Sequence, residues 1–111
     1  MPKTSLLGQF EQMVMLSVLR LGAEAHAISI RKFLADEAGH RVTRGALYRT
    51  LDRLEAKGYV DWVTDEPIPE RDGYARRRFE VTPDGLAVLR ASQQAIDTLS
   101  RGLKTMLRKP V

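Results

Sequence analysis

The sequence predicts a mainly α fold with a small two-stranded β wing and a long helix at its C-terminal end. Three observations predict it. Residues 42–62, VTRGALYRTLDRLEAKGYVDW, read as a helix of fixed polarity followed without a linker by a strand. The run RRRFEV at residues 76–81 returns as a second strand after a loop rich in proline and glycine. Thr82-Pro83-Asp84-Gly85 then opens a helix that no proline interrupts until Pro110.

The helix of residues 44–57 carries the clearest signal. Leu47, Leu51 and Leu54 fall at i, i+4 and i+7, the stripe of a helix laid on a core. At about 100° per residue, Gly45, Arg49, Asp52 and Ala56 point away from that stripe, with Tyr48 and Arg53 on its flanks. Thr43 is a good N-cap, because its hydroxyl can accept an orphan amide hydrogen of the first turn, and Gly58 suits the end.

Ahead of it, residues 6–21 form a helix apolar on nearly every side, Phe10 and Val14 among its members, stopped by Gly22. Such a helix needs two partners, the domain's own core and, in so small a chain, a second subunit. Ile28, Ile30, Phe33 and Leu34 support a second helix to about Ala38, and Gly39 ends it four residues before Thr43. Two helices joined by a short glycine-containing turn make a helix-turn-helix. With the hairpin beside it, the unit is a winged helix-turn-helix.

After Gly58, Val60 and Trp62 are expected on one face of a strand, with Tyr59, Asp61 and Val63 on the other. Phe79 and Val81 are the apolar members of the returning strand. The terminal helix should run about 26 residues, on the order of 39 Å. Leu86, Leu89, Ile96, Leu99, Leu103 and Met106 or Leu107 keep a stripe along it, and Leu89, Ile96 and Leu103 are seven apart. A heptad stripe longer than its domain is most simply buried by the same helix of a second chain. Residues 1–81 are thus expected to form the winged-helix unit and residues 82–111 its dimerisation helix, in one compact body. The expected homodimer contacts are Phe10, Val14, Leu86, Leu89, Ile96, Leu99, Leu103 and Leu107.

A chain of 111 residues, 43% hydrophobic and 29% charged, fits one globular domain. No apolar run approaches the roughly 18 to 20 residues that cross a bilayer, so no membrane association is expected. No charged-then-apolar leader is apparent at the start, which makes a cytoplasmic location the expectation. Without cysteine, and with His26 and His40 standing alone, neither a metal nor another cofactor is expected. An enzyme is not expected either: catalysis needs a nucleophile, base or metal in a pocket, whereas Asp65, Glu66, Glu70 and Asp72 share one loop.

The net charge of +4 points modestly toward a polyanionic partner, and the distribution is more telling. Arg41, Arg44, Arg49 and Arg53 fall in one stretch, and Arg71, Arg76, Arg77 and Arg78 in another. Three successive arginines exceed what the solubility of an edge strand requires.

The run GALYRTLDRLEAKGYV, the arginine-rich hairpin and RRFEVTPDGLAVL together resemble the PadR family of winged-helix transcriptional regulators, in particular its short members. The matching positions are Gly45, Leu47, Tyr48, Leu51, Leu54, Glu55, Gly58, Tyr59, Val60, Phe79, Val81, Thr82 and Gly85. Two positions depart from the family pattern. Arg49 stands where proline often follows Leu-Tyr, and Arg78 replaces the first tyrosine of the wing strand. The resemblance implies a homodimer on a palindromic operator, usually a repressor, with dimer contacts from the first and last helices. It also implies that some members are released by small aromatic or drug-like effectors, while many have none known.

The expected function is therefore sequence-specific binding of double-stranded DNA. Thr43, Arg44, Tyr48 and the wing arginines Arg76, Arg77 and Arg78 would position it on phosphates. Arg44, Arg49 and Asp52 would face base edges, with Gly45 leaving the backbone approachable and Arg53 on the flank. Asp52 is expected chiefly to steer Arg49 at i+3. Tyr48 can also be half buried against the strands, and Trp62 reads either as packing beneath the wing or as a stacking wall for a ligand. The competing function is a winged-helix adaptor that binds protein and has no salt-sensitive affinity for DNA.

Overall fold

The computed structural model describes residues 5–65 and 76–108. Most of the loop between the strands, Arg71 included, lies outside them. The described elements are α1 (Gln9–Leu21), a 3-10 turn (Gly22–Glu24), α2 (Ala27–Ala38), α3 (Arg44–Ala56), β1 (Val60–Thr64), β2 (Arg77–Val81), α4 (Pro83–Ser100) and α5 (Lys104–Arg108).

The three leucines of α3 lie on the floor of the core, where they meet Val14, Met15 and Val18 of α1 and Ile30 and Leu34 of α2. Gly39 closes α2 in the left-handed conformation, φ 62°, which lets the chain turn sharply toward Thr43. Thr43 caps α3 as expected, its Oγ1 accepting from the Ala46 amide at 3.1 Å. The strands pair antiparallel with Trp62 opposite Phe79 and Thr64 opposite Arg77. Val60 and Phe79 point into the core, while Asp61 and Val63 face solvent, so the predicted alternation holds.

Two joints fix the hairpin to the helices. On one side the Phe79 amide donates to the Ala25 carbonyl at 2.9 Å, so β2 bonds to the connection between α1 and α2 as well as to β1. On the other, Thr82 donates its hydroxyl to Gly58 O at 2.6 Å, accepts from Gly85 N at 3.0 Å, and gives its amide to Tyr59 O at 3.0 Å. Gly85 is there for space: a Cβ would stand 2.8 Å from the Tyr59 carbonyl carbon and closer still to its oxygen. The start of α4 is thereby pressed onto the end of α3 and the start of β1.

The single long terminal helix does not form. α4 stops at Ser100, Arg101 leaves helical geometry at ψ 130°, and Gly102 takes φ 82° before α5 begins. A glycine at positive φ redirects the chain as effectively as proline. The 18 residues of α4 reach only about 27 Å. At its inner end α4 docks on α1: Ser92, buried, accepts from the Leu7 amide at 2.9 Å, and Gln93 Nε2 donates to Gln12 Oε1 at 2.6 Å.

Candidate nucleic-acid interface

The outward side of α3 is polar, and the packing of its leucines dictates this. Thr43, Arg44, Gly45, Arg49 and Arg53 are exposed and Tyr48 is half buried. The Arg44 guanidinium lies 5.5 Å from the centre of the Tyr48 ring, within reach of its negative face. Arg53 Nη2 donates to Thr50 Oγ1 at 3.2 Å, which ties it down along the helix. Gly45 leaves the helix surface open there: an added Cβ would meet only Arg49 Nη1, at 3.4 Å. Among the described residues Asp52 forms no ion pair with Arg49, so the expected steering is absent.

Trp62 is bracing for the wing. Its indole N–H donates to Glu55 Oε2 at 3.1 Å, which ties β1 to the last turn of α3, and the Arg77 guanidinium lies 4.4 Å from its ring centre. Arg77 and Trp62 are diagonal neighbours on one face of the strand pair, close enough for the cation to rest on the ring.

Arg78 departs from the expectation of three phosphate-binding arginines. Its Nε donates to Asp65 Oδ1 at 3.1 Å and its Nη1 to Glu80 Oε1 at 3.1 Å, so its charge is already neutralised within the chain. The other Asp65 oxygen meets His26 Nε2 at 2.5 Å. His26 first, then Arg78, holds the Asp65 carboxyl below its ordinary value of 3.8 by hydrogen bonding to its charged form.

Between the start of α2, the outer face of α3 and β2 lies an open cavity of about 860 Å³, lined by His26, Ala27, Ile28, Arg31, Arg44, Tyr48, Asp52, Arg76 and Arg77. It gathers Arg44, Tyr48, Arg76 and Arg77 from the expected set. Thr43, Gly45, Arg49, Arg53 and Arg78 are not part of its lining. Arg31 and His26 join it without having been anticipated, for no local pattern marks them: α2 brings Arg31 there, where its Nε donates to Val42 O at 3.1 Å. Among the described residues none of the four lining arginines is ion-paired, whereas Arg78 next door is paired twice.

The expected dimer contacts divide. Val14 is 0% and Leu89 3% exposed inside their own chain, so their apolar surface is already satisfied and they cannot form a seam. Phe10 is half buried against the core, one ring-width from His40 at 5.4 Å. Leu86, Ile96, Leu99, Leu103 and Leu107 are exposed, Ile96 at 59% and Leu99 at 76%. No helix of the described residues is long and apolar enough to cross a membrane, and among them no group of three or more potential ligands could hold a metal ion.

Comparison with known proteins agrees with this geometry. A transcriptional regulator of Mycobacterium tuberculosis is 43% identical over 63 residues, which span 57% of this chain and 55% of that protein, about half its length. A PadR family transcriptional regulator from Eggerthella lenta is 28% identical in sequence and superposes with a TM-score of 0.66, over 89% of this chain and 84% of that one. A PadR-like transcription factor from Bacteroides fragilis is 25% identical with a TM-score of 0.70, over 89% and 90% of the two chains. The sequence pattern of the transcriptional regulator PadR-like family matches residues 15–91, and the chain belongs to that family.

Proposed function

We propose that the chain is a sequence-specific DNA-binding repressor that acts in the cytoplasm as a homodimer on a palindromic operator. One observation carries the reading: Arg44 of α3, Arg77 of β2 and Arg76 just before β2 line one cavity without a carboxylate partner among the described residues. Unneutralised arginines aimed at one surface cost solvation and mutual repulsion, and a phosphate backbone compensates both. Arg49 stands on the exposed ridge of α3 beside Gly45, the position from which a side chain reaches a base edge. The exposed apolar residues of α4 and α5 support self-association, since they have no cover within their own chain. In a dimer the two copies of α3 would face half-sites about one DNA turn, roughly 34 Å, apart.

The test joins two measurements. A fluorescent duplex of the chain's own upstream DNA should bind with an affinity that falls steeply with salt, and sedimentation should give a dimer at micromolar concentration. Leu99→Glu should return a folded monomer that binds DNA weakly. A wild-type protein without salt-sensitive DNA affinity would instead be an adaptor, and a wild-type monomer would sink the dimer.

A further inference from the structure

We propose that Asp52 is a specificity-determining residue that works by penalty. It disfavours a duplex that sets a phosphate or a base-edge acceptor against it, and it is satisfied by the exocyclic amino group of a cytosine or an adenine. The inference rests on the DNA-binding reading and names what that surface rejects.

Asp52 is out of place by charge. Among the described residues it is the one acid that lines the cavity, against Arg31, Arg44, Arg76 and Arg77. It continues the ridge that Arg44 and Tyr48 begin, the three residues standing four apart along α3. Eight residues at 1.5 Å put it about 12 Å along the helix axis from Arg44, beyond a direct pair. It is exposed, and among the described residues it forms no ion pair. Acids with a structural task in this chain are held from another element: Glu11 by Lys57, Glu55 by Trp62, Asp65 by His26 and Arg78. Solubility does not account for Asp52 either, since the same lining already carries four arginines.

A face of arginines gains affinity for any phosphate backbone, and that affinity carries no sequence information. A carboxylate on the face subtracts from it wherever nothing donates to the carboxylate. One such charge about 4 Å from a phosphate in water lowers affinity roughly fivefold. Ile28, 70% exposed, and the half-buried Tyr48 flank the cavity. A duplex that closes it therefore strips water from the carboxylate, and an acceptor left there without a donor is costly. In the major groove the base donors are the N4 amino group of cytosine and the N6 amino group of adenine, whereas guanine O6 and thymine O4 are acceptors. Asp52 thus selects by exclusion, in contrast to the attraction proposed for Arg49.

The test uses full-length wild-type, Asp52→Asn and Asp52→Ala chains. Each selects its preferred duplex from a randomised pool, and each is titrated at one low salt concentration with the wild-type choice and with a random duplex. Both variants should bind the random duplex about fivefold more tightly and the preferred duplex by a smaller factor, so the ratio of the two affinities falls. Asp52→Ala should lose a preference for cytosine or adenine at one pair in each half-site. Asp52→Asn, whose amide oxygen still accepts from an amino group, should keep an amino-bearing base there. Equal strengthening on both duplexes makes Asp52 a bulk charge and overturns the proposal, as does an unchanged affinity on both. In either case salt-sensitive binding by the wild type leaves the DNA-binding reading standing. A wild-type chain without salt-sensitive affinity for any duplex sinks that reading, and the role of Asp52 with it.

Discussion

Arg78 is bound to Asp65 at the loop end of the hairpin, its Nε donating to Oδ1 at 3.1 Å while the other carboxylate oxygen takes His26. Asp65 therefore joins the returning strand to the entry of α2, and one of three successive arginines is a structural clasp. Its two neighbours form no ion pair among the described residues.

The arginines should accordingly separate by experiment. Arg77→Ala should weaken binding to all DNA sequences alike and reduce the salt slope by roughly 0.9, the signature of one lost phosphate contact. Arg78→Ala should leave the salt slope close to wild type and instead lower stability by about 1 kcal/mol, since the pair is partly solvated. Salt-dependent anisotropy and chemical denaturation read the two effects; equal slopes in both variants would contradict the distinction.

Arg49 tests reading against positioning. It lies outside the cavity, on the exposed face of α3 beside Gly45. An arginine that grips a guanine edge contributes about 1–3 kcal/mol of discrimination. Arg49→Ala should relax preference at one base pair in each half-site and leave fold stability unchanged. Selection from a randomised duplex checks it, and uniform weakening would make Arg49 a phosphate clamp.

Gly85 and Gly45 form a matched pair for stability. A Cβ at Gly85 collides with the Tyr59 backbone, while one at Gly45 meets only the movable end of Arg49. Gly85→Ala should destabilise the fold by about 1–3 kcal/mol or more, because carbonyl and helix must part. Gly45→Ala should not lower the melting temperature, and should weaken DNA binding by crowding the approach. Thermal unfolding followed by circular dichroism distinguishes them.

Acid should loosen the wing through Asp65. Its carboxyl is held below 3.8 by His26 and Arg78, so the folded state binds its proton less readily than the unfolded chain does. The stabilisation is in place above about pH 4 and is lost as pH falls through the depressed folded value. Asp65→Asn should lower stability at pH 6 and flatten the acid limb of the stability profile. A parallel profile for the two proteins would show that Asp65 is not the group responsible.

Local rules make α3 legible in the amino-acid sequence: three leucines in register, a threonine cap, and a glycine after the last turn. The Thr82 cap and the strand alternation are equally local. The break at Gly102 is not, because proline is the usual mark of an interrupted helix, whereas this chain turns on a glycine whose positive φ leaves no trace in the apolar pattern. Val14 and Leu89, expected at a seam, lie in the core for a related reason. A helix apolar on several sides does not say which side meets its own core and which is left over. Asp65 and Arg78 are 13 positions apart, so their pairing depends on strand register. Arg31 and His26 belong to the cavity only through the way α2 lies across α3.

The bond from Phe79 to Ala25 carries a further consequence. It ties the middle of β2 to the connection just before α2, three residues from the Thr82 joint, so the described strands are held to the helices at two places. If α3 and β2 are the elements that meet DNA, their spacing is set before a duplex arrives. Little ordering entropy is then lost at docking, and a duplex whose groove does not match the gap must itself deform to be held. In the proposed complex, groove width would then count as well as the bases.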